Sequence, residues 1–219
     1  MTFTLISIEG NIGAGKSTFV RALQDALGRT GRNIVFLEEP VKEWTKLRAS
    51  DGEHIITKFY ADPHRYSFPF QMVAYISRIS MLRKAIAENP DGIIISERCL
   101  DADRKVFATM LKDEGKMDEF LYQIYCRWFD EFEDIWRGGK QVKVYLRADP
   151  SVCMQRVEKR AREGESLTLD YLEKCHSYHE SWLLHSDRDV VVLDANAERA
   201  SDGGDYDSWI SRVVDLVEL

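Results

Sequence analysis

The chain alternates between short, almost wholly apolar runs and longer segments in which apolar residues recur every three or four positions. Five runs, at 3–8, 34–37, 92–96, 142–146 and 190–193, are rich in β-branched and other apolar residues. Most lack strict alternation with polar residues, as expected of strands buried on both faces. Between and after them, the spacing predicts helices over 17–27, 66–87, 117–132, 151–162, 168–184 and 206–217. In the first of these, Phe19, Val20, Leu23 and Leu27 share one face. Alternating strands and helices predict an α/β fold, a five-stranded parallel sheet flanked by helices on both faces. The stretch 197–206, rich in Asp, Gly and Ala, reads as a loop. With 219 residues and no internal repeat, the chain is expected to form a single domain over 1–219.

In such a sheet, ligands collect beyond the carboxyl ends of the strands. Gly10-Asn11-Ile12-Gly13-Ala14-Gly15-Lys16-Ser17 stands there, between the first apolar run and the first helix, and fits the pattern G-x-x-x-x-G-K-[ST]. Gly10, Gly13 and Gly15 let the backbone curl, so that amides along 10–18, including those of Asn11, Ala14 and Thr18, turn toward phosphate oxygens. Lys16 would reach the β- and γ-phosphates, and Ser17 carries a hydroxyl suited to Mg²⁺. The segment therefore predicts binding of ATP, or another nucleoside triphosphate, with Mg²⁺.

Two further charged groups fall on the same edge: Glu38-Glu39-Pro40 after the second run and Glu97-Arg98 after the third. No N-K-x-D guanine-reading motif occurs, which disfavours a GTPase, and the third run does not end in the usual metal-binding Asp. A carboxylate beside a guanidinium suits phosphoryl transfer, with Glu97 holding Mg²⁺ directly or through water and Arg98 neutralising charge at the reacting oxygen. Glu39 is available as a base. Arg156, Arg160 and Arg162 form a second cationic cluster, with Arg156 and Arg160 one helical turn apart. They either close over a triphosphate or pair with Glu158, Glu163 and Glu165 at the surface.

A net charge of −7 argues against an extended basic surface, so no nucleic-acid partner is expected. Four cysteines, at 99, 126, 153 and 175, show no C-x-x-C pairing and suggest reduced thiols in a cytoplasmic protein. The sequence opens on a strand-like run rather than a leader, and no apolar run approaches the roughly 18 residues of a membrane span, so no membrane partner is expected. His176 and His179 with Cys175 lack the four ligands of a structural zinc site. The stripe Leu172, Cys175, Tyr178 and Trp182 reads as a packed helix face.

Taken in order, GNIGAGKSTFV (10–20), EEPVKEW (38–44), Tyr60, SFPFQMVAYISR (67–78), SERCLDADRKVF (96–107) and YLEKCHSYHESWLLH (171–185) resemble the deoxyribonucleoside kinase family, in particular its deoxycytidine/deoxyguanosine kinase branch. The resemblance covers most of the chain. It implies a P-loop kinase fold with a helical lid at about 156–168, and ATP-dependent phosphorylation of the 5′-hydroxyl of deoxyribonucleosides in nucleotide salvage. It implies Glu39 as the base that takes the hydroxyl proton, Glu97 and Arg98 at the reaction centre, Arg160 and Arg162 on the phosphates, and Arg156 on the donor adenine. On the acceptor side it implies Tyr60 and Glu165 at the 3′-hydroxyl, Gln71 at the base edge, and Val41, Trp44, Phe70 and Phe107 as apolar walls. Arg78 and Asp103 would lie together beside the far edge of the base, favouring deoxycytidine or purine deoxyribonucleosides over thymidine. A homodimer formed by helices flanking the sheet is also implied. The chain departs from the family pattern at Cys99, where Ser is usual, at Tyr66, where Trp is common, at the additional Glu38, and in a segment 163–170 that is one residue short. A nucleoside monophosphate kinase would need more arginines near the acceptor, and a non-catalytic nucleotide-binding switch would not need Glu39, Glu97 and Arg98.

Overall fold

The computed structural model describes residues 3–28, 30–162, 164–185, 190–197 and 206–218. Most of the expected loop 197–206, and Glu163, lie outside these residues. Five strands, β1 (Thr4–Gly10), β2 (Ile34–Leu37), β3 (Ile93–Glu97), β4 (Lys140–Arg147) and β5 (Val190–Asp194), pair in the order β2-β3-β1-β4-β5, and every pairing is parallel. The helices in chain order are α1 (Lys16–Leu27), α2 (Val41–Trp44), α3 (Ile55–Ala61), α4 (Pro63–Glu88), α5 (Leu100–Ala102), α6 (Thr109–Asp113), α7 (Glu119–Glu131), α8 (Asp134–Arg137), α9 (Pro150–Arg160), α10 (Leu169–His185) and α11 (Asp207–Glu218), with a π-helical turn at Asp103–Ala108 joining α5 to α6.

Side chains of a strand point alternately to its two faces, so one apolar run serves two cores. Ile6 and Ile8 of β1 enter a cluster with Phe19, Leu23, Val157 and Trp209, from α1, α9 and α11. Phe3 and Leu5 enter the opposite cluster with Tyr75, Leu82, Tyr125 and Phe129, from α4 and α7. This double coverage is why the sequence runs are continuously apolar. Helix α4 begins three residues earlier than the pattern predicts because Asp62 caps it, accepting from the Arg65 amide at 3.2 Å, and Pro63 is preorganised for the first turn. Helix α9 stops at Arg160 rather than 162 because Ala161 takes a left-handed conformation, with φ 46°. In the second half of the expected lid, the described residues 161, 162 and 164–168 belong to neither a helix nor a strand.

Consecutive strands go to one side of β1 as far as β3 and then to the other from β4. The reversal opens a crevice at the carboxyl ends of β1 and β3, where Gly10 and Glu97 stand. Among the described residues, no helix is long and apolar enough to cross a membrane.

Candidate active site

The turn from β1 into α1 is shaped by close approach. A Cβ on Gly13 would lie 2.4 Å from the Cys153 carbonyl oxygen of α9, and Gly13 has φ 83°. Gly10, at φ 145°, would meet the Leu146 carbonyl oxygen at 2.7 Å. Only glycine fits either position, so the loop lies against β4 and α9. Gly15 precedes α1 without capping it by a side chain, and no acidic residue occupies the first turn, so the amides there remain free for an anion. Lys16 is buried and donates to the Asn11 carbonyl at 2.8 Å, curling the loop around its ammonium.

A cavity of about 770 Å³ opens in front of this loop. Its walls bring together nearly all the residues singled out above: Gly13, Ala14, Gly15, Lys16, Ser17 and Thr18; Glu39, Glu97 and Arg98; Arg156, Arg160 and Arg162; and Trp44, Tyr60, Phe70, Gln71, Arg78, Asp103, Phe107 and Glu165. Three expected residues are not on the wall. Gly10 lies behind the loop against β4. Asn11 turns away from the cavity, its amide donating to the Leu172 carbonyl at 2.8 Å and its oxygen accepting from the Ile12 amide at 2.9 Å, so it holds the loop to α10. Val41, in the first turn of α2, packs into the cluster of Trp44, Ile56 and Ala74 instead of facing the cavity.

The charged centre is compact. Ser17 Oγ donates to Glu97 Oε1 at 2.8 Å, placing two hard oxygen donors side by side, the donor type that Mg²⁺ takes. Glu39 Oε1 lies 3.4 Å from both Arg98 Nε and Arg78 Nη2. Burial would raise the Glu39 carboxyl, but Arg98, Arg78, Lys16 and Arg162 outweigh it and hold it below the ordinary carboxylate range. Glu39 is thus ionised at neutral pH and can accept a proton. Glu38 is exposed and is not on the wall. The neighbouring glutamates are separated by geometry.

Burial, with Arg98 nearby, lowers the Lys16 ammonium from 10.5 to about 8, against the pull of Glu97 and Glu39. A bound polyphosphate would favour the charged form, so the free protein would have to take up a proton to bind it above about pH 8. Donor affinity is therefore expected to fall as pH rises through 8, approaching about tenfold per pH unit. Calorimetry in buffers of different ionisation enthalpy checks this: proton uptake on ATP binding should be near zero at pH 7 and substantial at pH 9. Affinity unchanged over that range would contradict it.

On the expected acceptor side, Arg78 Nε donates to Asp103 Oδ2 at 2.9 Å and Arg78 Nη1 to the Glu97 carbonyl at 2.8 Å, with both side chains buried. Burial works against the Arg78 charge, but Asp103 and Glu39 outweigh it and push its pKa up. Burial lifts the Asp103 carboxyl in spite of Arg78. Gln71 is 3 % exposed, and its Oε1 has no hydrogen-bond partner among the described residues. A buried acceptor left open on a cavity wall is costly unless a ligand completes it. Trp44 meets Phe70 edge to face, with centroids 5.4 Å apart, and Trp44 Nε1 donates to Ser77 Oγ at 2.9 Å, which fixes that wall.

The three arginines expected in the lid divide their partners. Arg156 donates to the carbonyls of Ala195 and Ala197 at 2.9 and 3.0 Å, tying α9 to the segment after β5. Arg160 pairs with Glu165, which also lies 3.8 Å from Arg162. Burial first, and then Glu165, raise the Tyr60 hydroxyl, so Tyr60 remains a donor. The motifs assign no site role to Glu9, wholly buried, whose Oε1 accepts from the Cys99 amide at 2.8 Å, nor to Tyr171, Tyr206 and Trp209, which reach the cavity. Among the described residues no cluster of metal-ligating His, Cys, Asp and Glu forms; His179 instead faces Arg98.

Comparison with known proteins agrees with the motif order. The sequence profile of the deoxynucleoside kinase family matches residues 6–218. A probable deoxycytidine kinase of fowlpox virus (strain NVSL) is 35 % identical over 225 residues, covering 99 % of this chain and 89 % of its own length. The deoxycytidine kinase of Homo sapiens is 34 % identical over 241 residues, covering 97 % and 90 %. The mitochondrial deoxyguanosine kinase of Xenopus laevis is 32 % identical over 204 residues, covering 84 % and 75 %.

Proposed function

Because the chain belongs to the deoxynucleoside kinase family, a group of enzymes that phosphorylate deoxyribonucleosides with an ATP-type donor, we propose that its cavity holds donor and acceptor together and joins them at Glu39, Glu97 and Arg98. The observation that carries this reading is the continuity of one cavity from the Lys16 loop to the open amide of Gln71. The triphosphate would lie along the loop amides, Lys16 and Thr18, with Arg160 and Arg162 over its phosphates and Arg156 against the adenine. Ser17 and Glu97 would hold Mg²⁺, which when bound neutralises phosphate charge and orients the terminal phosphoryl group. Glu39 would accept the proton of the 5′-hydroxyl as its oxygen attacks the γ-phosphorus, and the β,γ-bridging oxygen leaves with the nucleoside diphosphate. Arg98 and Lys16 would face the charge that develops in the transition state.

The base would stack on Phe107, with Trp44 and Phe70 as further apolar walls, and pair with Gln71, while Tyr60 and Glu165 hold the 3′-hydroxyl. Arg78 is committed to Asp103, which favours an uncharged acceptor over a nucleoside monophosphate. That pair also underlies the proposed base choice. Asp103 can accept from an exocyclic amine such as that of cytosine, and Arg78 can donate to purine acceptors. Thymine would turn a carbonyl toward the carboxylate and a methyl into the volume of the pair. Initial rates on the four natural deoxyribonucleosides with ATP and Mg²⁺ test this reading, with thymidine expected to be poorest.

Replacing both members, as Arg78→Met with Asp103→Ala, is expected to raise thymidine activity relative to deoxycytidine more than either single change. A single change strands a buried charge, at a cost of about 3–5 kcal/mol. Efficient thymidine turnover by the unmodified protein would refute this account, as would the absence of any relative gain in the double variant.

A homodimer in the cytoplasm completes the proposal. Ile76 on α4 is 45 % exposed and Trp128 on α7 is 46 % exposed, on helices joined by a hydrogen bond from the Tyr75 hydroxyl to the Trp128 carbonyl at 2.9 Å. Two such side chains on neighbouring helices fit a self-complementary face. Trp128→Glu is expected to shift sedimentation from dimer to monomer; a monomeric unmodified chain would overturn the point.

A further inference from the structure

Arg98 is held by contacts that no motif announces. Its φ is 65°, in the left-handed region where a side chain is disfavoured, so the surrounding structure must fix it there. Its amide donates to the Ile8 carbonyl at 3.0 Å, its carbonyl accepts from Ser96 Oγ at 2.8 Å, and the next amide, of Cys99, donates to Glu9 at 2.8 Å. The backbone root of the guanidinium is therefore set by β1 and β3.

The far end of the side chain meets α10. His179 is wholly buried there, and its Nδ1 lies 2.7 Å from the Cys175 carbonyl oxygen. A carbonyl only accepts, so Nδ1 carries the hydrogen and Nε2 presents a lone pair. That lone pair faces Arg98 Nη1 at 3.3 Å. The ring lies parallel to Tyr145, with centroids 6.1 Å apart and planes at 1°, and meets Phe107 nearly edge-on at 6.2 Å and 86°. The face of Phe107 in turn carries the Arg98 guanidinium, 4.8 Å from the ring centroid. Burial and then Arg98 hold the imidazole well below its ordinary pKa, so the ring is neutral.

We propose that His179 is the positioning residue of Arg98, a neutral acceptor that aims the guanidinium into the cavity without cancelling its charge. A carboxylate in its place would bind the arginine more strongly but would neutralise part of the field intended for the reacting phosphate. Glu39 already stands at Arg98 Nε, and Nη2 takes part in neither contact, so the fork keeps a donor for a phosphate oxygen. Misaim by about 1 Å is enough to cost roughly 100-fold in rate without loss of binding. The inference rests on the proposed role of Arg98 in phosphoryl transfer.

The test is a set of variants compared by kcat, by KM for both substrates and by thermal unfolding. In His179→Leu, kcat should fall by about 10- to 100-fold with each KM within about threefold. In His179→Gln the side-chain oxygen reaches the place of Nε2, and kcat should return to within about fivefold of the unmodified protein. In His179→Asn the amide reaches only the place of Nδ1, and kcat should resemble that of His179→Leu. On an Arg98→Ala background, His179→Leu should lower kcat no further, because there is no guanidinium left to aim. Equal losses with and without Arg98, unchanged kcat in a folded His179→Leu, or no advantage of Gln over Asn would each overturn the proposal. The comparison of Gln with Asn decides the matter even if the Leu variant does not fold. If Arg98→Ala alone turned over normally, the proposed role of Arg98 would fall and this inference with it; a slow Arg98→Ala beside a normal His179→Leu would sink this inference alone.

Discussion

Replacing Glu39 by glutamine is expected to lower kcat by roughly 10²- to 10⁴-fold while leaving both substrates bound. Glutamine keeps the shape and one acceptor oxygen beside Arg98 and Arg78, each 3.4 Å from Glu39 in the unmodified protein. It loses the basicity that would take up the hydroxyl proton. It also removes a negative charge beside Lys16, so triphosphate binding should be unchanged or tighter. The depressed Glu39 pKa means that the unmodified protein would lose the proposed base only at acidic pH, as the carboxylate protonates below the ordinary range. Steady-state rates together with calorimetric titration of ATP and nucleoside check the expectation. Near-normal kcat would remove Glu39 from the base role, whereas loss of binding would make it a structural support of the two arginines.

Lys16→Ala is expected to act by another route, lowering kcat/KM by about 10²- to 10³-fold and weakening ATP binding as well. The ammonium is buried and donates to the Asn11 carbonyl at 2.8 Å, so its loss removes both a cation and the contact that curls the loop. Nucleoside affinity should be nearly preserved, because the Gln71 end of the cavity is built on α4 and does not depend on the loop. A Lys16→Ala protein that binds ATP and turns over normally would show that the loop amides alone suffice.

The sheet was legible because each strand's own apolar run feeds both cores; Ile6 and Ile8 face one layer and Phe3 and Leu5 the other. Its edges were less so. β4 begins at Lys140, two residues before the apolar run, because Lys140 and Gln141 pair with Thr4 and Leu5 through the backbone, which hydrophobicity does not register. Helix α3 escaped notice because it is short and is capped by the ring of His54, outside the usual capping residues. The segment Leu100–Asp113 escaped because its π-helical turn breaks the period that marks a helix. In the site, the Lys16 loop could be read locally, since its chemistry lies within consecutive residues. The contacts that set Arg98 could not: Glu9 meets the Cys99 amide across 90 positions, and His179 meets Arg98 across 81. Nor could the inward turn of Asn11 or the outward packing of Val41, which depend on α10 and α4.

The central claim is that the cavity moves a terminal phosphoryl group from ATP to the 5′-hydroxyl of a deoxyribonucleoside. The most direct measurement follows the label of γ-labelled ATP supplied with Mg²⁺ and deoxycytidine, with deoxycytidine 5′-monophosphate, or with neither. The account predicts label in a deoxycytidine 5′-monophosphate product with the first acceptor, and far slower turnover with the other two. Label passing chiefly to the monophosphate to give a diphosphate, or released as inorganic phosphate regardless of acceptor, would contradict it.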